Sequence, residues 1–77
     1  MKIQVEVMGH LTDVVAGLER KQEVDLPDNT ALSMLLSNLG IKRELAYMVL
    51  VNGQREDGSH LLRDGDRVTV FSPPAGG

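Results

Sequence analysis

Apolar and polar residues alternate at the start of the chain, where Ile3, Val5 and Val7 are interleaved with Lys2, Gln4 and Glu6. A period of two puts successive side chains on opposite faces, so the chain opens on a strand with one face buried. Gly9 and His10 interrupt it. Leu11, Val14, Val15 and Leu18 then fall at helical spacing, but Gly17 costs about 1 kcal/mol relative to Ala, and the stretch to Arg20 fits a short helix and a loop equally. Val24 and Leu26, flanked by Glu23 and Asp25 and stopped by Pro27, read as a second short strand. The tight connection from Gly9 to Lys21 predicts that it pairs antiparallel with the first.

The clearest helix comes next. Leu32, Leu35, Leu36 and Leu39 stand at i, i+3, i+4 and i+7 and form one apolar stripe, with Ser33, Ser37 and Asn38 on the polar side. Thr30 is placed to cap its start, and Gly40 suits the left-handed position that ends it. An element with a single apolar stripe covers one face of a sheet, which predicts helix on sheet. Tyr47 to Val51 is apolar on both alternating faces, Tyr47/Val49/Val51 and Met48/Leu50, and Asn52-Gly53 after it is a strong hairpin signal. Glu56 to Ser59 reads as polar loop, Leu61 and Leu62 as core anchors, and Asp64-Gly65-Asp66 as a turn. Arg67 to Phe71 is the last strand, with Val68 and Val70 on one face and Arg67, Thr69 and Phe71 on the other. The order β, β, α, β, β, β predicts an α+β domain, a small mixed sheet packed on one helix with its first and last strands side by side.

Composition narrows what such a domain can do. Its 77 residues make one small domain, too small for a deep catalytic cleft of its own. It has no cysteine, which excludes disulfides, thiolate metal ligation and thiolate catalysis by this chain. A net charge of −3 with no Lys/Arg cluster longer than a pair argues against nucleic acid as a partner. The longest apolar run, Leu45 to Val51, falls far short of the roughly 20 residues of a membrane helix, and the cytoplasm is the expected compartment. His10 and His60 stand alone, without a second ligand at metal spacing, and take no role. Asp64-Gly65-Asp66 lacks the remaining ligands of a calcium loop, so no metal site is expected.

The chain ends on Phe71-Ser72-Pro73-Pro74-Ala75-Gly76-Gly77. Prolines lack an N–H and hold φ near the polyproline value, so Pro73-Pro74 stops the strand and straightens the exit of the chain. Glycine has no Cβ, so Gly76-Gly77 fits a channel too narrow for ordinary residues. Extended, residues 72–77 reach on the order of 20 Å. A carboxylate is a poor electrophile at neutral pH and must be activated before it reacts; a thin tail suits delivery of one into an enzyme pocket. Nothing in the chain matches a phosphate-binding Gly-rich loop, because Gly76-Gly77 has no helix after it and Gly-x-x-x-x-Gly-Lys is absent. ATP for such a step is therefore expected to be bound elsewhere.

The ordered segments Leu26-Pro27-Asp28-Asn29-Thr30, Leu35-Leu36, Val51-Asn52-Gly53, Leu62-Arg63-Asp64-Gly65-Asp66 and the Phe71 to Gly77 ending resemble the MoaD/ThiS ubiquitin-like sulfur carriers along nearly the whole chain. The resemblance implies a β-grasp (ubiquitin-like) fold over residues 1–71, a mixed four- to five-stranded sheet on one main helix, and a flexible tail over residues 72–77. It implies that Gly77 is the working residue, its carboxylate adenylated and then converted to a thiocarboxylate. Gly76, Ala75, Pro74 and Pro73 form the tail that delivers it. No cofactor is bound by the chain itself, and ATP is used by the activating partner.

The implied partners are an adenylating enzyme of the ubiquitin-activating type, a sulfur donor protein, and a larger molybdopterin-synthase-like subunit or another sulfur acceptor. The chain is thus a carrier and substrate rather than an enzyme. Phe-x-Pro-Pro before Gly-Gly points to the MoaD branch and molybdopterin. A ThiS-like role in making the thiamine thiazole, a tungsten-cofactor or other pathway, a modifier conjugated through Gly77, and a non-covalent interaction domain are the alternatives. Phe71, with the face of Tyr47 to Val51 that points away from the helix, taken as Tyr47, Val49 and Val51, is the candidate docking patch.

Overall fold

Ile3, Val5 and Val7 are at most 2% exposed, while Lys2, Gln4 and Met8 face solvent, so the alternation of the first strand, β1 (Lys2–Met8), is a true inside/outside division. The structure is a computed structural model that describes residues 1–74. A short helix, α1 (Leu11–Val14), leads through a left-handed Gly17 to β2 (Lys21–Asp25), which pairs antiparallel with β1. After α2 (Leu32–Asn38) and a single 3-10 turn at Arg43–Leu45 come β3 (Met48–Val51), β4 (Gln54–Arg55) and β5 (Arg67–Phe71). The five strands lie in the order β2-β1-β5-β3-β4, with β1 and β5 parallel at the centre and the other pairs antiparallel. This mixed sheet with one main helix is the expected β-grasp arrangement.

The core lies between α2 and the inner face of the sheet. Leu32 and Leu35 are at most 1% exposed and meet Ile3, Val5, Val7, Val68 and Val70; Leu11, Ile41 and Leu62 close the ends. Leu36 and Leu39 are only partly buried, so the stripe is tilted toward Leu32 and Leu35. Helix α2 ends as expected on a left-handed Gly40 (φ 78), whose N–H donates to the Ser37 carbonyl while that of Ile41 donates to the Leu36 carbonyl (2.9 Å). These two bonds satisfy carbonyls that a helix end otherwise leaves open.

Three local expectations change. Thr30 does not cap α2: it is buried at 4% exposure and its hydroxyl donates to the Pro27 carbonyl (2.7 Å), which closes the preceding turn, while Ala31 takes the N-cap position. Leu62 is a core anchor, 3% exposed, but Leu61, which forms an isolated bridge with Ala31, is 54% exposed. Asp66 is more than a turn residue. It is 8% exposed, accepts from the Asn52 side-chain amide (2.9 Å) and the Arg63 N–H (2.8 Å), and so ties the β3-β4 hairpin to the start of β5. Asn52 returns its carbonyl to the Arg67 N–H (3.0 Å), and with Gly53 it adopts the two positive φ values (52 and 85) that a tight hairpin turn needs.

Candidate functional site

Strand β5 is central, and its end carries the root of the C-terminal tail. In the ladder, Phe71 stands opposite Met8 of β1 on one side and Met48 of β3 on the other. All three belong to the outer face, away from α2, and they form one apolar row across three strands. The next row inward is Glu6, Thr69 and Leu50. That row already carries charge, with Glu6 paired to Lys21 (3.6 Å), and beyond it Lys2 pairs with Glu23 (3.4 Å) and Asp25 (3.8 Å). The half-buried Phe71 and the exposed or half-buried Met8, Met48 and Leu50 therefore make an apolar patch with a polar border, placed where the tail begins. Such patches on small domains serve as docking surfaces.

This placement corrects the docking residues expected from the sequence. Phe71 is on the outer face, but Val49 and Val51 are 7% and 5% exposed and belong to the core. With both faces of the segment apolar, alternation does not show which one meets the helix; pairing with β5 decides it, since Val49 lies opposite Val70 and Val51 opposite Val68. Met48 and Leu50 escape a reading of the sequence for the same reason; Met8 lies on the outer face with Lys2, Gln4 and Glu6, and only the pairing of β1 with β5 brings it beside Phe71. Tyr47 precedes β3, is 59% exposed, and lines an open groove between α2 and β3–β4 instead of joining the row with Phe71. Its backbone N–H donates to the Phe71 carbonyl (2.9 Å), the last sheet bond before the tail.

Ser72, assigned with the tail on sequence grounds, is held by the body. The N–H of His10 donates to the Ser72 hydroxyl oxygen (3.3 Å), and His10 Nδ1 lies 3.4 Å from it. Gly9 is left-handed (φ 76), and a Cβ there would overlap the Ser72 hydroxyl. Pro73 and Pro74 come next. Ala75, Gly76 and Gly77, the residues expected to carry the chemistry, lie outside the described residues.

Among the described residues no group of three or more His, Asp or Glu side chains converges. His60 pairs with Glu56 through Nδ1 (3.4 Å) on the surface loop. Asp57 accepts from the hydroxyl and the N–H of Ser59, and these bonds, the hydroxyl's foremost, hold its carboxyl below the usual carboxylate range. No helix among the described residues is long and apolar enough to cross a membrane.

Comparison with solved structures finds SAMP1 from Haloferax volcanii, 20% identical over the whole of both chains with a TM-score of 0.76. A putative molybdopterin converting factor, subunit 1, from Pyrococcus furiosus is 22% identical, with 95% of this chain and 98% of that one covered and a TM-score of 0.72. A chain from the complex of subunits 1 and 2 of the molybdopterin-converting factor of Helicobacter pylori is 20% identical over the whole of both chains, with a TM-score of 0.64. At these identities the likeness shows the fold. No curated protein matches. The model of the ThiS family matches residues 5–77, nearly the whole chain and its Gly-Gly end included. The chain therefore belongs to the ThiS family, whose members are small ubiquitin-like sulfur carriers and not catalysts.

Proposed function

We propose that this protein carries sulfur on Gly77 for the making of molybdopterin. The observation that carries the reading is the position of the apolar row Met8, Phe71 and Met48, which borders the root of a Pro-Pro-Ala-Gly-Gly tail. A partner seated on that row receives the tail at its own surface. In the first step a Gly77 carboxylate oxygen attacks the α-phosphorus of ATP held by an adenylating enzyme, and pyrophosphate leaves. Hydrosulfide delivered by a donor protein then attacks the carbonyl carbon of the acyl-adenylate and expels AMP, leaving a thiocarboxylate and a released proton. Its sulfur is transferred within a larger synthase-like subunit, to which this chain is the non-catalytic small subunit. The two molybdopterin-converting-factor neighbours, one of them in complex with a second subunit, favour this branch over thiazole synthesis. The compartment is the cytoplasm, where ATP is available.

Intact-mass measurement on protein isolated from its own cells is the test. It should find a fraction in which one terminal oxygen is replaced by sulfur. Strict absence of that species, also after ATP, activating enzyme and sulfide are supplied, sinks the reading. A second reading, a modifier joined through Gly77 to lysines of other proteins, is favoured by the likeness to the small archaeal modifier protein 1 of H. volcanii and shares the adenylation step. Lysines of cellular proteins carrying the tryptic remnant Val68 to Gly77 in isopeptide linkage, without molybdopterin deficiency in a deletion strain, would select it instead.

A further inference from the structure

Where β1 and β5 end side by side, the two chains do not simply diverge. Met8 and Phe71 are the last paired residues, and the next residue of each chain, Gly9 and Ser72, come into contact. The left-handed φ of Gly9 turns β1 across the end of the sheet, bringing the His10 N–H to the Ser72 hydroxyl oxygen at 3.3 Å and His10 Nδ1 to within 3.4 Å of it. The missing side chain of Gly9 leaves the room that Ser72 fills, with the Ser72 Cβ only 3.3 Å from where a Gly9 Cβ would stand. Arg20 braces the turn from behind: its guanidinium donates to the carbonyls of Val7 (3.3 Å) and Gly9 (3.5 Å). The Val7 N–H donates to the Arg20 carbonyl (2.9 Å).

We propose that Ser72, gripped by Gly9 and His10, is a positioning residue that aims the C-terminal tail for activation. The proposal rests on the carrier reading above. Pro73 and Pro74 have fixed φ, and a residue before proline is confined to extended backbone, so residues 72–74 form a stiff lead whose direction is set at its base. The stiff part beyond Ser72, Pro73-Pro74, spans about 7 Å when extended, so a tilt of about 20° at Ser72 displaces its end by about 2 Å. Group transfer is sensitive to misplacement of about 1 Å. Without the grip, the sheet ends at Phe71, where the Tyr47 N–H donates to the Phe71 carbonyl (2.9 Å).

The test is ATP–pyrophosphate exchange by the ubiquitin-activating-type enzyme of the same organism, with the full-length protein as substrate. Ser72→Ala should lower kcat on the order of tenfold, with KM for the protein nearly unchanged because the Met8, Phe71 and Met48 row is intact. Ser72→Thr, which keeps the hydroxyl acceptor, should restore kcat, and Tm should be the same for all three proteins. In the free protein, Ser72→Ala should also move the His10 amide signal in NMR spectra, a readout that needs no enzyme. An unmoved His10 signal, or a Ser72→Ala protein exchanging at the wild-type rate, overturns the grip as an aiming device while leaving the carrier reading intact. Failure of the wild-type protein to support exchange at all overturns the carrier reading, and the grip falls with it.

Discussion

Leu35→Ala should be among the most damaging single truncations in this domain, and Leu36→Ala, one position along the same stripe, should be mild. Leu35 is 0% exposed and sits over the inner face of the sheet, whereas Leu36 is only partly buried at the groove side of α2. Removing three side-chain carbons at about 0.8 kcal/mol each gives ~2.4 kcal/mol of lost transfer energy. The cavity left behind adds ~24 cal/mol per Å³, bringing the expected total at Leu35 to about 3 to 5 kcal/mol. Leu36, already partly in water and able to relax into solvent, should cost about 1 to 2 kcal/mol. At 77 residues the whole domain is stable by only about 4 to 12 kcal/mol, so Leu35→Ala removes a large share of it. The corresponding fall in Tm for a loss of about 3 kcal/mol is about 12 to 24 °C. Urea unfolding followed by far-UV circular dichroism is the suitable assay, since the chain has no Trp and its one Tyr is largely exposed. Equal midpoints for the two variants, or a larger loss at Leu36, would refute the placement of the core over Leu32 and Leu35.

Deleting Gly76 and Gly77 should leave Tm unchanged, because glycines have no side chain to bury, while abolishing pyrophosphate exchange; a marked fall in Tm would show that the end belongs to the folded body. Phe71→Asp puts a carboxylate between Met8 and Met48 and should weaken calorimetrically measured binding to the larger acceptor subunit on the order of tenfold or more, whereas Leu61→Asp, at an exposed apolar residue elsewhere, should not. Asp66→Ala strands the Asn52 amide and the Arg63 N–H and should cost about 1 to 3 kcal/mol in urea unfolding. The Asp57 carboxyl, held low by Ser59, should titrate below the ordinary aspartate range in NMR and rise toward it in Ser59→Ala. Because the folded-state value is the lower one, the stability it contributes is present above the unfolded-state pKa and is lost as pH falls through the folded one. An Asp57 titration unchanged by Ser59→Ala would remove that account.

Most of the fold is legible in the sequence because its signals are local. The alternation of Ile3, Val5 and Val7, the leucine stripe, Gly40 and Asn52-Gly53 each depend on a few neighbouring residues, and each element stands where those residues put it. The positions where sequence and structure part depend on distant partners. Thr30 has the right chemistry for a helix cap, yet the carbonyl of Pro27 takes its hydroxyl. Leu61 and Leu62 are indistinguishable in the sequence, and only the fold buries one and exposes the other. Val49 and Val51 pass for docking residues because a strand apolar on both faces has no intrinsic inside, and only the register with Val68 and Val70 supplies one.

The candidate site divides along the same line. The chemistry expected of the Gly-Gly end, behind two prolines on a body without cysteine or phosphate loop, is read from covalent structure and needs no fold. Its surroundings are not. Met8, Phe71 and Met48 come from segments far apart in the chain, and Ser72 meets Gly9 and His10 across 62 to 63 positions. Residue type and local spacing carry the proposal of a delivered carboxylate at Gly77. The parallel pairing of the first strand with the last, which only the folded core enforces, decides what stands beside the root of the tail.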